Sequence, residues 1–144
     1  MKIGVPKEIK SQENRIGLTP ESVKILTSNG NDVMVENNGG FEAGFYNEQY
    51  KSAGAKIVDK AEDIFNDSEI IVKVKEPQSS EVKMIRENQI VFTYLHLAAA
   101  KELTKGLVDS KSVCIAYETV TDNNGRLPLL APMSEDDGRM SVQA

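Results

Sequence analysis

Four chemistry-bearing side chains in this 144-residue sequence each follow a candidate strand. His96, the only histidine, follows Val91-Phe92-Thr93-Tyr94-Leu95. Imidazole exchanges a proton near neutral pH, so His96 reads either as an acid/base or as a hydrogen-bonded core residue. Lys75 ends Val72-Lys73-Val74-Lys75-Glu76-Pro77, where Pro77 keeps Glu76 out of the helical region. A lysine at such an exit can polarise a carbonyl oxygen or point into water. Arg15 lies in Gln12-Glu13-Asn14-Arg15-Ile16-Gly17-Leu18, and its planar fork suits a carboxylate. Glu118, after Val113-Cys114-Ile115-Ala116-Tyr117, can orient a cationic neighbour or be solvated. Ser134 opens Ser134-Glu135-Asp136-Asp137, either as a plain helix cap or as a group meeting a phosphate at a helix start.

The elements that would position these residues follow from periodicity. Strands are expected at Ile3-Gly4-Val5, Asp32–Glu36, Lys56-Ile57-Val58, Glu69–Val74, Ile90–Tyr94 and Val113–Tyr117. Thr19-Pro20-Glu21 carries the signature of a helix start, with Val23 and Leu26 on one face and Gly30 at the far end. Asn47 is the expected cap of a second helix that Gly54 ends. Ala61–Phe65, Glu81–Arg86 and a stretch from Ala99 with Leu103, Leu107 and Val108 are further helical segments. Asn123-Asn124-Gly125 reads as a turn. Alternation of strand and helix predicts an α/β fold, a mainly parallel sheet flanked by helices of Rossmann-like or flavodoxin-like kind. In such a sheet Arg15, Lys75, His96 and Glu118 share one edge, where ligands collect. Two cations and a proton carrier there suit a small carboxylate bearing a carbonyl.

Composition narrows the classes. With 40% hydrophobic and 27% charged residues the chain reads as soluble and globular. A net charge of -5 without a basic run argues against nucleic acid and anionic membranes as partners. No signal peptide or membrane span is evident, so the cytoplasm is the expected location. Cys114, the single cysteine, forms no internal disulfide and reads as a small buried hydrophobe. One Cys and one distant His make no metal site. No Gly-x-Gly-x-x-Gly phosphate loop occurs.

The segments around these residues resemble the alanine dehydrogenase family, part of a superfamily with transhydrogenase α subunits. Six blocks carry the resemblance: Lys2–Glu8, Glu13–Pro20, Val72–Pro77, Phe92–Leu97, Ala116–Thr119 and Leu129–Glu135. The first two are shared with the transhydrogenases; the blocks at His96 and before Glu135 point to alanine dehydrogenases. The resemblance implies NAD-dependent deamination of L-alanine to pyruvate and ammonia. It implies Arg15 and Lys75 as holders of the substrate's carboxylate and carbonyl, with His96 as acid/base. Glu118 and Met133 would lie beside the substrate, and Met133 and Ser134 at the hinge where cofactor and substrate meet.

Family members are longer, with a dinucleotide-binding domain and a C-terminal return to the substrate domain. Residues 1–130 are thus expected to form the substrate domain, and 131–144 a truncated start of the hinge helix leading to an absent NAD-binding domain. Asp136 and Asp137 replace a small apolar pair usual in similar proteins. The isolated chain is expected to be inactive, to bind NAD weakly or not at all, and to self-associate through uncovered apolar surface. Alternatives are a transhydrogenase α-subunit fragment, or a non-catalytic pyruvate-binding or scaffold domain.

Overall fold

The apolar runs assemble into one sheet in a computed structural model of the protein, which describes residues 1–97 and 100–126. Its strands are β1 (Lys2–Val5), β2 (Asp32–Glu36), β3 (Lys56–Val58), β4 (Ile70–Val72), β5 (Ile90–Thr93) and β6 (Val113–Ala116). The order is β3-β2-β1-β4-β5-β6, and every neighbouring pair is parallel. The connecting helices are α1 (Pro20–Ser28), α2 (Asn47–Ser52), α3 (Ala61–Asp67), α4 (Ser79–Val82) and α5 (Lys101–Ser110). The α/β fold with a parallel sheet is as the sequence predicts.

Local chemistry explains most boundaries. Thr19 caps α1 by accepting from the Ser22 N–H at 3.2 Å, and Pro20 begins the helix with φ already set. Val23 of α1 is fully buried against Val33 and Val35 of β2, while Leu26 packs at the cluster's margin. Tyr50 of α2 joins the same cluster and donates its hydroxyl proton to the Leu18 carbonyl at 2.7 Å. A second cluster joins Ile64 and Phe65 of α3, Ile71 of β4, Val91 of β5 and Leu107 of α5. Cys114 packs at its margin, half-buried rather than buried as expected.

Several boundaries shift. Tyr46, not Asn47, precedes α2, and its N–H is satisfied by Gln49 Oε1 at 2.7 Å. The Asn47 side chain turns instead to the preceding loop, accepting from the Asn38 N–H at 2.9 Å. α4 is one turn starting at Ser79 rather than a helix over Glu81–Arg86, because Glu81 reaches back to the Gln78 N–H at 2.9 Å and fixes the start there. β4 ends at Val72, two residues short of expectation, where Lys73 leaves strand geometry although its N–H still meets the Phe92 carbonyl at 3.0 Å. Tyr117 leaves β6 for a 3₁₀ turn over Tyr117–Thr119. Val108 faces solvent, so only Leu103 and Leu107 of the expected trio pack inward. The turn at Asn123–Gly125 is present, bridged by Asp122 N–H to the Arg126 carbonyl at 3.0 Å.

Direction in the strand order reverses at the centre. From β1 the chain goes outward to β2 and β3, then returns through α3 to β4 and builds β5 and β6 on the other side. The loops after β1 and β4 therefore diverge, leaving a crevice at the carboxyl edge between them. Gly17 brings the first loop against the end of β4: a Cβ there would lie 2.5 Å from the Val72 carbonyl oxygen.

Candidate active site

The floor of the crevice is a dry ion triad. Lys73 Nζ lies 2.8 Å from Glu8 Oε2 and 3.0 Å from Glu81 Oε2, and all three side chains are at most 2% exposed. Two carboxylates thus face one ammonium. Burial raises the pKa of Glu81, and the Lys73 charge opposes that rise. The pairing keeps this arrangement from being prohibitive, since a lone buried charge costs several kcal/mol. The second oxygen of Glu8 accepts the Lys75 N–H at 2.8 Å. Thr93 donates its hydroxyl to the Lys75 carbonyl at 2.9 Å. The backbone of Lys75 is therefore gripped on both sides, which fixes where its side chain leaves the sheet edge.

Arg15 is held by Glu13. Its Nε donates to Glu13 Oε2 at 2.9 Å and its Nη2 to Oε1 at 2.6 Å, while its N–H also meets Oε2 at 2.9 Å. Glu13 is only 5% exposed, whereas Arg15 is 52% exposed, so the fork is anchored on a buried carboxylate. The Arg15 hydrogen bond holds the Glu13 carboxyl below its ordinary pKa against the opposing effect of burial, and the Lys75 charge adds to that lowering. One carboxylate thus sits in the field of both cations.

His96 follows β5 in an unusual conformation, with φ of 51°. Left-handed backbone in a non-glycine residue costs about 1–3 kcal/mol unless its surroundings enforce it. Here Glu118 does so. Its Oε1 accepts the Leu95 N–H at 3.0 Å and the His96 N–H at 2.9 Å. Burial pushes the Glu118 pKa up, but these hydrogen bonds and the charge of His96 outweigh it and hold the carboxyl below its ordinary value. Tyr94 stacks near the imidazole, with ring centroids 6.4 Å apart and 15° between planes. Tyr117 meets Tyr94 edge-on at 4.8 Å. Burial raises the Tyr94 phenol pKa, Arg15 lowers it and Glu118 raises it, so Tyr94 lies within the fields of both loops. On the far side, Glu76 pairs with Lys10 and feels the His96 charge.

Arg15, Lys75, His96 and Glu118 therefore do lie at one sheet edge, in loops that follow β1, β4, β5 and β6. Glu118 accepts the backbone N–H groups of the His96 loop. Met133 and Ser134, with Asp136 and Asp137, lie outside the described residues. The sequence reading missed Glu8, Lys73, Glu81, Glu13 and Tyr94. Glu81 had a signal, because Gln78 and Glu81 have capping-box spacing ahead of a helix. For Lys73 there was none: a lysine beside Lys75 in alternation reads as solvated. Among the described residues no cluster of His, Cys, Asp and Glu could hold a metal ion.

A family model described as alanine dehydrogenase/PNT, N-terminal domain, matches residues 4–136. The chain belongs to that family. It is 52% identical over 144 residues to an alanine dehydrogenase of Halomonas elongata, covering 100% of this chain and 39% of that protein. An alanine dehydrogenase of Staphylococcus epidermidis is 53% identical over 143 residues, 99% of this chain and 38% of its own length. The fold matches a solved L-alanine dehydrogenase with a TM-score of 0.95 at 51% identity, covering 99% of this chain and 39% of the other. A transhydrogenase from Sinorhizobium meliloti matches less well, with a TM-score of 0.80 at 26% identity over 86% of this chain and 35% of the other. The chain thus spans about two fifths of the length of the curated relatives it matches. As expected from the sequence, its architecture is that of the N-terminal part of this family.

Proposed function

We propose that this chain forms the substrate domain of an NAD-dependent L-alanine dehydrogenase. The reaction converts L-alanine, NAD⁺ and water to pyruvate, ammonium, NADH and a proton. The observation that carries the reading is the convergence of Arg15, Lys75 and His96 on the carboxyl edge of the sheet, in a chain about half identical to alanine dehydrogenases. Arg15, held in place by Glu13, grips the substrate carboxylate with its planar fork. Lys75 stabilises negative charge on the carbonyl oxygen, where a compact ammonium acts best. His96 takes a proton from the water that attacks the iminium carbon and returns one in the reverse direction. Met133 and Ser134 are assigned to the hinge by family resemblance.

The described residues hold no Gly-x-Gly-x-x-Gly phosphate loop. The first strand-to-helix connection, residues 6–19, has one glycine and no Gly-x-Gly-x-x-Gly. The pyrophosphate therefore lacks its usual backbone cradle here. We assign NAD, the hydride acceptor, to a part of the protein outside the described residues, and weak or no NAD binding to these residues themselves. Pyruvate and L-alanine are the proposed ligands. β6 is an edge strand with Val113 and Ile115 49% and 41% exposed, which favours self-association at that edge. Among the described residues no helix is long and apolar enough to cross a membrane. Cytoplasmic residence and the absence of nucleic-acid partners remain part of the proposal.

The test is kinetic, in a full-length protein carrying this domain. Arg15→Ala should raise KM for pyruvate by roughly 10- to 100-fold, the worth of a charge-assisted bidentate pair. His96→Ala should remove most turnover with the fold intact. Near-normal turnover of His96→Ala would overturn the acid/base role.

A further inference from the structure

We propose that Glu118 is the positioning residue of the proposed acid/base, setting the direction of the His96 side chain by occupying the anion-binding concavity that the Leu95 and His96 N–H groups form. The proposal rests on the reading of His96 as acid/base. Its physical content is local. Two successive N–H groups at a left-handed residue converge on one point and bind an anion there. In this protein the anion is a side chain from the next strand's exit. Glu118 Oε1 lies 3.0 Å from the Leu95 nitrogen and 2.9 Å from that of His96, with Oε2 3.3 Å from Leu95.

Three observations make the contact more than incidental. First, His96 has φ of 51°, a conformation that a side chain other than glycine's adopts reluctantly. Relaxing it to ordinary extended backbone would swing the imidazole away from Tyr94, against which it now stacks. Second, Leu95 is buried in the second core cluster and Leu97 packs against it, so His96 is an exposed residue between two anchored neighbours. The Glu118 contact fixes the two N–H groups between those anchors, on the one residue that the core does not hold. Third, Glu118 is carried on the 3₁₀ turn over Tyr117–Thr119, and Tyr117 packs edge-on against both Phe92 at 4.2 Å and Tyr94 at 4.8 Å. The carboxylate is thus delivered from a turn that is itself registered against β5. A catalytic group displaced by about 1 Å can lose up to about 100-fold in rate, so this hold bears on turnover.

The experiment has two arms. NMR of the chain as it stands reads the hold directly. The Leu95 and His96 amide resonances should move together on acidification, with one shared midpoint below the ordinary glutamate range. In Glu118→Gln, which keeps an acceptor oxygen, that shared movement should vanish while both amides stay protected from exchange. In Glu118→Ala both amides should lose protection, and the single imidazole spectrum should move toward that of an unstructured histidine. If Glu118→Ala unfolds the chain, the wild-type and Glu118→Gln titrations still decide. Two amides without a shared midpoint, or a midpoint that survives Glu118→Gln, would overturn the proposal.

Kinetics of a full-length protein carrying this domain forms the second arm. Glu118→Ala should lower kcat tenfold or more with little change in KM, and Glu118→Gln should recover most of it. A raised KM with unchanged kcat would mean that Glu118 binds substrate instead. His96→Ala is the control. If it retains turnover, the functional reading fails; if it abolishes turnover while Glu118→Ala leaves kcat intact, the positioning role fails alone.

Discussion

Glu8 and Glu118 do the same job in different surroundings. Each accepts backbone N–H groups from the loop that follows a central or outer strand: Glu8 from Lys75, Glu118 from Leu95 and His96. Glu8 does so in a dry floor, tied also to Lys73 and sharing it with Glu81. Glu118 does so at the rim, beside an exposed imidazole. The difference teaches where a carboxylate serves the fold and where it serves the site. Inside, its partners are irreplaceable because water cannot substitute for them. At the rim water can, so what is lost with the carboxylate is geometry more than stability.

The sharpest way to break this comparison is Lys73→Met. It leaves two buried carboxylates with no cation between them, and stability should fall by about 3–5 kcal/mol. A shift in the urea midpoint without a change in slope would measure it. A loss below about 1 kcal/mol would show that the floor is wetter than its burial implies. Glu8→Ala should cost less, about 1–3 kcal/mol, because Lys73 keeps Glu81 while the Lys75 N–H loses its acceptor. Pyruvate affinity should weaken with it, since Lys75 loses one of its two anchors. Glu118→Ala should cost about 1 kcal/mol, since the exposed His96 N–H can turn to water and only the Leu95 N–H is left short of an acceptor. A larger loss would place Glu118 with the floor rather than the rim.

The smallest effect is in the pH dependence, and there the two regions should differ in sign. Glu118 has its folded-state pKa held below the ordinary 4.5. Its contribution is fully present above that value and is lost as pH falls through the lowered pKa. Glu81 has its folded-state pKa raised above 4.5. Just above 4.5 the folded chain keeps a proton that the unfolded chain has released, so Glu81 makes stability fall as pH rises through that window. Urea midpoints for Glu118→Gln should therefore lose a rising limb below 4.5 relative to wild type, and those for Glu81→Gln a falling limb above it. The same sign in both variants would refute the distinction.

Much of the fold was legible in the chain. Thr19-Pro20 marks the start of α1, and Val33 with Val35 marks the inward face of β2, because caps and periodicity act over a few residues. The positions of Arg15, Lys75, His96 and Glu118 after candidate strands placed them at one edge once the sheet was read as parallel. The ends of elements were harder. α4 is a single turn set by Glu81, and Tyr117 leaves β6 early, where aromatic packing against Phe92 and Tyr94 overrides strand propensity.

What the sequence by itself determined is the alternation of strand and helix, and with it the parallel sheet and its loaded edge. Those follow from hydrophobic periodicity and local caps, which need no knowledge of distant neighbours. Only the tertiary structure decided how the edge is wired. Glu8 and Lys73 are 65 residues apart, and Glu118 and His96 22 apart. Nothing local distinguishes Lys73, which is dry and paired, from Lys75, which leads out of the sheet edge. Tertiary contact makes that distinction, because Glu8 from the loop after β1 and Glu81 from α4 meet on Lys73 and take it out of water.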